Sequence, residues 1–334
     1  MSDTSESTPS TRSLVAIGGG SGLSVLLRGL KNHANQPSDL TAVVTVADDG
    51  GSSGRLRREF GVLPPGDIRN CIVALADDED LLARLFQYRF PNGAGLSGHS
   101  FGNLFLTALT GITGDFYQAI LMAESILAVR GRILPATLAD VRLRGRGVSG
   151  ELYEGESAVG GAGEPMAALA LEPSPVVAFP QAVRAIEDAD LIVLGPGSLY
   201  TSVLPNLLIP GIRTAIERSR APVALVLNLM TQPGETDGMG SQEHLEAIAQ
   251  HAAPNLVDYV VVNARAPSRR LLDHYAATGS EWVQARVDGP AEGARWVEAD
   301  LLAEGDLIRH DPDKLSRTIL ELAELGSRER PEER

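Results

Sequence analysis

At 334 residues, 43% of them hydrophobic and 22% charged, the chain has room for one large α/β domain or two small ones, with a sizeable core. Its net charge of −14 excludes broad nucleic-acid binding, which needs a basic face. No apolar run approaches the roughly 18 residues of a membrane span, and one cysteine, Cys71, excludes an internal disulfide and fits a reducing, cytoplasmic compartment.

Residues 1–11 are rich in Ser and Thr and lack a hydrophobic segment, so they read as a disordered lead-in rather than a signal peptide. Residues 13–17 form the first expected strand, 18–22 a glycine-rich turn, and 23–31 a helix with Leu23, Leu26, Leu27 and Leu30 on one face. A β-branched run at 40–46 completes a βαβ unit. Gly18, Gly19, Gly20, Ser21 and Gly22 lie between strand and helix, where free amides face an anion. A nicotinamide fingerprint is not met, because Leu23 stands where G-x-G-x-x-G needs glycine.

After the second strand come Asp48, Asp49 and the small-residue stretch 50–54, expected as an open loop that a ligand approaches closely. Arg55, Arg57 and Arg58 follow, either as part of a site or as a solvated face. Gly66 and Asp67 begin a helix over 67–76, with Asp67 as its expected N-cap. Arg69, with Asn70 beside it, is placed to reach a phosphate. Asp-Asp-Gly-Gly is also plain turn chemistry. One aspartate is therefore expected to shape the turn, and the other (Asp49 in the preferred assignment) to hold a divalent cation with Asp67. Cys71 reads as a buried, inert thiol.

Helices are expected over 79–88, 99–109 and 115–129. His99 opens the second with Ser100 and Asn103. It is either a general acid/base or a hydrogen-bonding neighbour of a Ser100 cap, and no carboxylate-His-Ser triad is apparent. Between 132 and 177 helical periodicity fades, and short β-like pieces at 140–143 and 167–171 read as an insertion or sheet extension. The α/β alternation resumes with helices over 181–187, 211–219, 242–251 and 267–277 and strands over 191–194, 223–229 and 257–263. A mixed segment spans 281–308, and an amphipathic helix covers 312–325. Two loops after successive strands are rich in glycine, hydroxyl and amide groups: Gly195, Gly197, Ser198, Leu199 and Tyr200 in one, Thr231 and Gln232 in the other. Together with the first two loops they imply a cleft along one rim of the sheet. Asn228 and Asn263 are candidate base or sugar contacts. The expected architecture is one Rossmann-like, doubly wound, mostly parallel α/β domain over 12–325 with a β-rich insertion at 132–177, followed by a charged tail over 326–334.

The strings GGGSGLSVLLRGLK, TVADDGGSSGRLRREFGVLPPGDIRNC, LFQYRF, GHSFGN, LTGITGDFYQAI, GPGSLYTSVLPNLL and MTQPGETDGM occur in this order. In this respect the chain resembles the YvcK-type gluconeogenesis factors of the CofD-like superfamily over roughly residues 12–325. The resemblance implies a Rossmann-like fold, binding of UDP-sugars such as UDP-N-acetylglucosamine, and a regulatory role in gluconeogenic growth and cell shape through envelope synthesis. It implies no required cofactor, with Mg²⁺ left open, and no established turnover. An unidentified regulatory protein would be the partner, and a homo-oligomer stays open. The enzyme branch, 2-phospho-L-lactate transferase, uses magnesium held by an aspartate after strand two and another at the next helix start. Those roles fall on Asp48 or Asp49 and on Asp67. Tyr275 and Arg309 match a tyrosine and an arginine linked to UDP-sugar binding.

Overall fold

Near-continuous runs of Val, Ile, Leu and Ala make strands that are buried on both faces, as a parallel sheet covered by helices requires. The computed structural model describes residues 12–33, 39–77, 80–284 and 293–325; the expected tails at 1–11 and 326–334 lie outside the described residues. In chain order the elements begin with β1 (Leu14–Gly18), α1 (Gly20–Leu30), β2 (Leu40–Val44), α2 (Gly51–Phe60), α3 (Gly66–Leu75), α4 (Asp80–Gln87), α5 (Phe101–Thr113) and α6 (Phe116–Ile126). Next come β3 (Arg132–Pro135), β4 (Arg142–Gly147), β5 (Leu152–Glu154), α7 (Glu156–Gly160) and β6 (Met166–Glu172). After α8 (Pro180–Glu187) and β7 (Leu191–Leu194), a π-helical turn (Leu199–Val203) leads into α9 (Leu204–Leu207) and α10 (Pro210–Arg218). The remainder is β8 (Val223–Val226), α11 (Ser241–His251), β9 (Tyr259–Asn263), α12 (Arg269–Ala276), β10 (Arg295–Ala299) and α13 (Pro312–Glu324).

The large sheet has seven parallel strands in the order β10-β9-β8-β7-β1-β2-β3. Chain order reverses between β1 and β7, and such a switch point opens a crevice at the carboxyl ends of the strands. The fold is therefore the expected Rossmann-like one. A second, antiparallel sheet of order β5-β4-β6 lies between β3 and α8. Arg132–Pro135, at the start of the expected insertion, pairs with β2 and belongs to the large sheet.

Three local expectations change. The stretch 50–54 is not an open loop, because α2 begins at Gly51, which adopts φ +45°. A Cβ on Gly54 would strike the Asp49 carbonyl, so these glycines serve close packing of a helix start. Arg57 is not on a solvated face: it is buried, donates to the Val141 carbonyl and pairs with Asp140. The segment 281–308 contains β10, whose Arg-Trp-Val-Glu-Ala pattern lacks the apolar run of an inner strand because β10 is an edge.

Candidate functional site

The switch-point crevice is built by loops that touch one another. β1 ends at Gly18 and α1 starts two residues later, with Gly19 as an extended N-cap that carries no side-chain hydrogen bond. A Cβ on Gly22 would lie 2.6 Å from the Pro196 carbonyl oxygen, so the α1 turn rests directly on the loop after β7. Asn228, just beyond β8, clasps that loop: its Oδ1 accepts from Gly197 N at 3.1 Å and its Nδ2 donates to Gly197 O at 2.9 Å. Both ends of the amide are thereby engaged, and Asn228 holds the loop in place. Gln232 Nε2 donates to Ser198 Oγ at 2.7 Å. Asn263 is likewise occupied, accepting from Leu301 N and donating to the Arg265 carbonyl.

Between these loops lies a cleft of about 450 Å³. Gly20, Ser21 and Gly22 form one wall, Gly197 and Ser198 a second, and Asn228, Thr231 and Gln232 a third. The fourth comes from far along the chain and includes Tyr275 and Arg309. These two residues are 34 apart in sequence, yet Ile308 N donates to Tyr275 Oη at 3.3 Å and so ties the Arg309 segment to α12. A small apolar cluster of Leu229, Met230, Leu271, Leu302 and Ile308 lies against Tyr275 and Trp282. Arg309 is exposed and has no ion-pair partner among the described residues. In a chain of net charge −14, a free guanidinium in a cleft is suited to an anionic ligand. His310 also lines the cleft, and burial holds its pKa down at about 4, so it is a neutral imidazole at physiological pH. Ser280, Ile308 and His310 were not singled out in the sequence: Ile308 and His310 flank Arg309, and Ser280 enters through the fold of the C-terminal third. Leu199 and Tyr200 are buried behind the cleft.

A second polar centre sits beside Gly19. Asp67 is not the N-cap of α3; Pro65 is, and Asp67 occupies the first turn. Its carboxylate accepts a backbone hydrogen bond from Gly20, so the amide end of α1 already faces an acid. Burial, together with the nearby Asp48, pushes the Asp67 pKa up to about 7. Glu156, from α7 of the small sheet, hydrogen-bonds Asp48 and has its pKa driven up to about 10, chiefly by burial and then by Asp48 and Asp67. Its Oε2 is buried without a partner. Asp49 points elsewhere: its Oδ1 accepts from Ser157 N at 3.0 Å and Ser157 Oγ at 2.9 Å. The carboxylate that accompanies Asp67 is therefore Asp48, not the expected Asp49. Among the described residues no group of three His, Cys, Asp or Glu side chains is arranged to hold a metal ion. Two carboxylates with waters and phosphate oxygens are nonetheless the usual donor set of Mg²⁺. Burial is the larger cause of the raised Asp67 pKa and repulsion by Asp48 the second; a cation would relieve that repulsion, and Asp48 and Asp67 fit the role on that ground.

The remaining expected site residues form a buried network apart from the cleft. Arg69 does not reach outward; its Nη1 donates to Ser100 Oγ at 2.6 Å and Asn103 Oδ1 at 3.1 Å, and its Nη2 to Asn70 Oδ1 at 2.7 Å. Asn103 Nδ2 donates to Ser52 Oγ at 3.1 Å, and Ser52 in turn meets His99 Nδ1 at 2.9 Å. Ser100 caps α5 by accepting from Asn103 N, and the helix starts at Phe101, so His99 precedes it as a buried hydrogen-bonding neighbour. Burial, then the nearby Arg55, lowers its pKa. Gly66 packs on Ser53 and Asp48, where a Cβ would lie 2.5 Å and 2.7 Å from their side-chain oxygens. Cys71 is fully buried, as expected.

A family model described as "2-phospho-L-lactate transferase CofD" matches residues 14–302. A Nostoc relative is 51% identical over 92% of this chain and 68% of its own length. A protein named "Gluconeogenesis factor" from Halalkalibacterium halodurans is 47% identical, covering 93% of this chain and 96% of its own. A crystallised protein of Bacillus halodurans superposes with a TM-score of 0.89 at 46% identity, covering 93% of this chain and 99% of that one. With likeness over nearly the whole chain in both sequence and fold, this chain belongs to the CofD family, among its gluconeogenesis factors.

Proposed function

We propose that this protein is a cytoplasmic, UDP-sugar-binding regulator, with UDP-N-acetylglucosamine as its ligand. In this role it would link the supply of nucleotide sugar in gluconeogenic growth to envelope synthesis and cell shape. The observation that carries the reading is the convergence of Tyr275 and Arg309 with three glycine- and amide-rich loops on one cleft. The volume of about 450 Å³ suits a ligand of nucleotide-sugar size. Arg309 and the Gly20–Gly22 turn supply charge and amides for a diphosphate, while Ser198, Thr231 and Gln232 supply hydroxyl and amide partners for ribose and sugar. Regulation requires that the ligand bind one conformation of a partner-facing surface better than another. Calorimetry of the purified chain against UDP-N-acetylglucosamine, UDP-glucose and GDP tests the reading. Micromolar heat with the UDP-sugars supports it, whereas preference for GDP points to the transferase branch.

A second reading is favoured by the acidic centre: a magnesium-dependent transferase of the 2-phospho-L-lactate type. Magnesium, held by Asp48 and Asp67, would supply charge neutralisation at a nucleotide diphosphate. Asp67 would keep the cation next to Gly20, and Arg309 would hold the leaving nucleotide. Incubation with a deazaflavin acceptor, magnesium and phospholactate activated through a diphosphate link to guanosine should then release GMP, since the transferred phospholactyl group takes one of the two phosphates; no release by folded protein removes this reading.

A further inference from the structure

Glu235 lies behind the cleft rather than in it. It is 5% exposed, and its Oε1 accepts from Tyr200 N at 2.8 Å and Thr201 N at 3.3 Å. Those amides belong to the turn that follows Ser198, and Glu235 belongs to the loop that carries Thr231 and Gln232. The carboxylate therefore joins two cleft walls from the protein side, while Gln232 joins them from the ligand side through Ser198.

The small sheet closes over this strap. Gly163 N donates to Gly234 O at 2.8 Å, and a Cβ on Gly234 would lie 3.2 Å from the Gly160 carbonyl. On the other side, a Cβ on Gly160 would lie 3.3 Å from Thr201 Cγ2. Glu235 is held by the Tyr200 and Thr201 amides and the Thr201 and Ser198 hydroxyls, and among the described residues no cation pairs with it. A buried acid held in this way is costly compared with an apolar side chain of its size. Such local conflicts concentrate where function, not stability, sets the residue.

We propose that Glu235 is a positioning residue of the cleft: it fixes the separation of the Ser198 and Thr231–Gln232 walls and so sets discrimination for the sugar held between them. This rests on the nucleotide-sugar reading of the cleft. Diphosphate contacts come from Gly20–Gly22 and Arg309, on the other walls, so UDP keeps them when the strap is lost and gives up only the ribose partners that the strapped walls supply. Loss of the strap therefore weakens a nucleotide sugar more than the bare nucleotide.

The test uses the full chain and the variants E235A and E235Q, titrated with UDP-N-acetylglucosamine and with UDP. Amide hydrogen exchange at Tyr200 and Thr201 is followed without ligand. For E235A we expect faster exchange at both amides and about a tenfold loss of affinity for the nucleotide sugar, with UDP changing less than about threefold. E235Q, whose amide oxygen accepts the same bonds, recovers most of both. Equal weakening of the two ligands, or unchanged exchange, overturns the proposal. Should E235A not fold, E235Q decides: a weaker neutral acceptor still quickens exchange several-fold, and no quickening overturns it. If the native chain binds neither nucleotide, the nucleotide-sugar reading fails on its own account. The exchange comparison then judges Glu235 alone, with acceleration in E235A reversed in E235Q supporting it and no acceleration overturning it.

Discussion

Tyr275 Oη accepts a hydrogen bond from Ile308 N at 3.3 Å, one residue ahead of Arg309. The hydroxyl therefore acts on the cleft through the backbone that carries the arginine. In Tyr275→Phe the Ile308 amide loses its acceptor and the Arg309 segment loosens. UDP-N-acetylglucosamine affinity should fall several-fold, with the salt dependence of binding retained. Arg309→Ala removes the charge itself and should cost about ten- to a hundredfold, as loss of a charge-assisted hydrogen bond does. It should also flatten the dependence on ionic strength. Calorimetry at two salt concentrations separates the two effects.

Gly22 has no room for a side chain against the Pro196 carbonyl. Gly22→Ala should push the β7 loop outward, cost about 1–3 kcal/mol by overpacking, and lower both the melting temperature and ligand affinity. Ser21→Ala, at an exposed neighbour, is the control and should leave the melting temperature unchanged.

Asp67, Glu124 and Glu235 each have a pKa pushed up to about 7 by burial. Their folded values lie above the unfolded ones, so between about pH 4.5 and 7 the folded state holds protons that the unfolded state has released. Stability should therefore decline as pH rises through that window, the opposite of a salt-bridged carboxylate. Glu124 is the cleanest probe, since it accepts from Ile133 N on the edge strand β3 at 2.7 Å, away from the cleft. Glu124→Gln should make the melting temperature less sensitive to pH between 5 and 8, as followed by circular dichroism.

Asp67→Asn keeps an oxygen to accept from Gly20 while removing a charge that Asp48 opposes. Without added cation the variant should melt higher than the native chain. Added Mg²⁺ should raise the native melting temperature and leave the variant unchanged, as ligand binding to the folded state alone requires. An equal magnesium shift in both would place the cation elsewhere.

The strands β1, β2, β7, β8 and β9 were legible because a strand buried on both faces needs a continuous apolar run, and each has one. β10 was not, because an edge strand half in water carries Arg295 and Glu298 without penalty. The glycine loops after β1 and β7 were legible from their places after strands. The roles of polar residues were less so, because a sequence shows a side chain's chemistry but not its neighbours. Arg69 and His99 have the composition of a site and are consumed by a buried network. Glu156 and Glu235 sit in stretches that read as insertion and turn, and only the fold brings them to the carboxylate centre and the cleft wall.

Helix α13 packs along α1 so closely that a Cβ on Gly29 would strike the Pro312 carbonyl and lie 2.9 Å from Ser316 Cβ. Leu315, Ile319 and Leu322 are buried in that seam. The match to the family model ends at residue 302, ahead of this helix, although whole-length relatives cover 93% of the chain. An expression fragment trimmed to the family boundary would thus uncover one side of α1, whose opposite end forms the glycine wall of the cleft. Such a fragment should aggregate or lose ligand even though every residue assigned to the glycine loops is still in it.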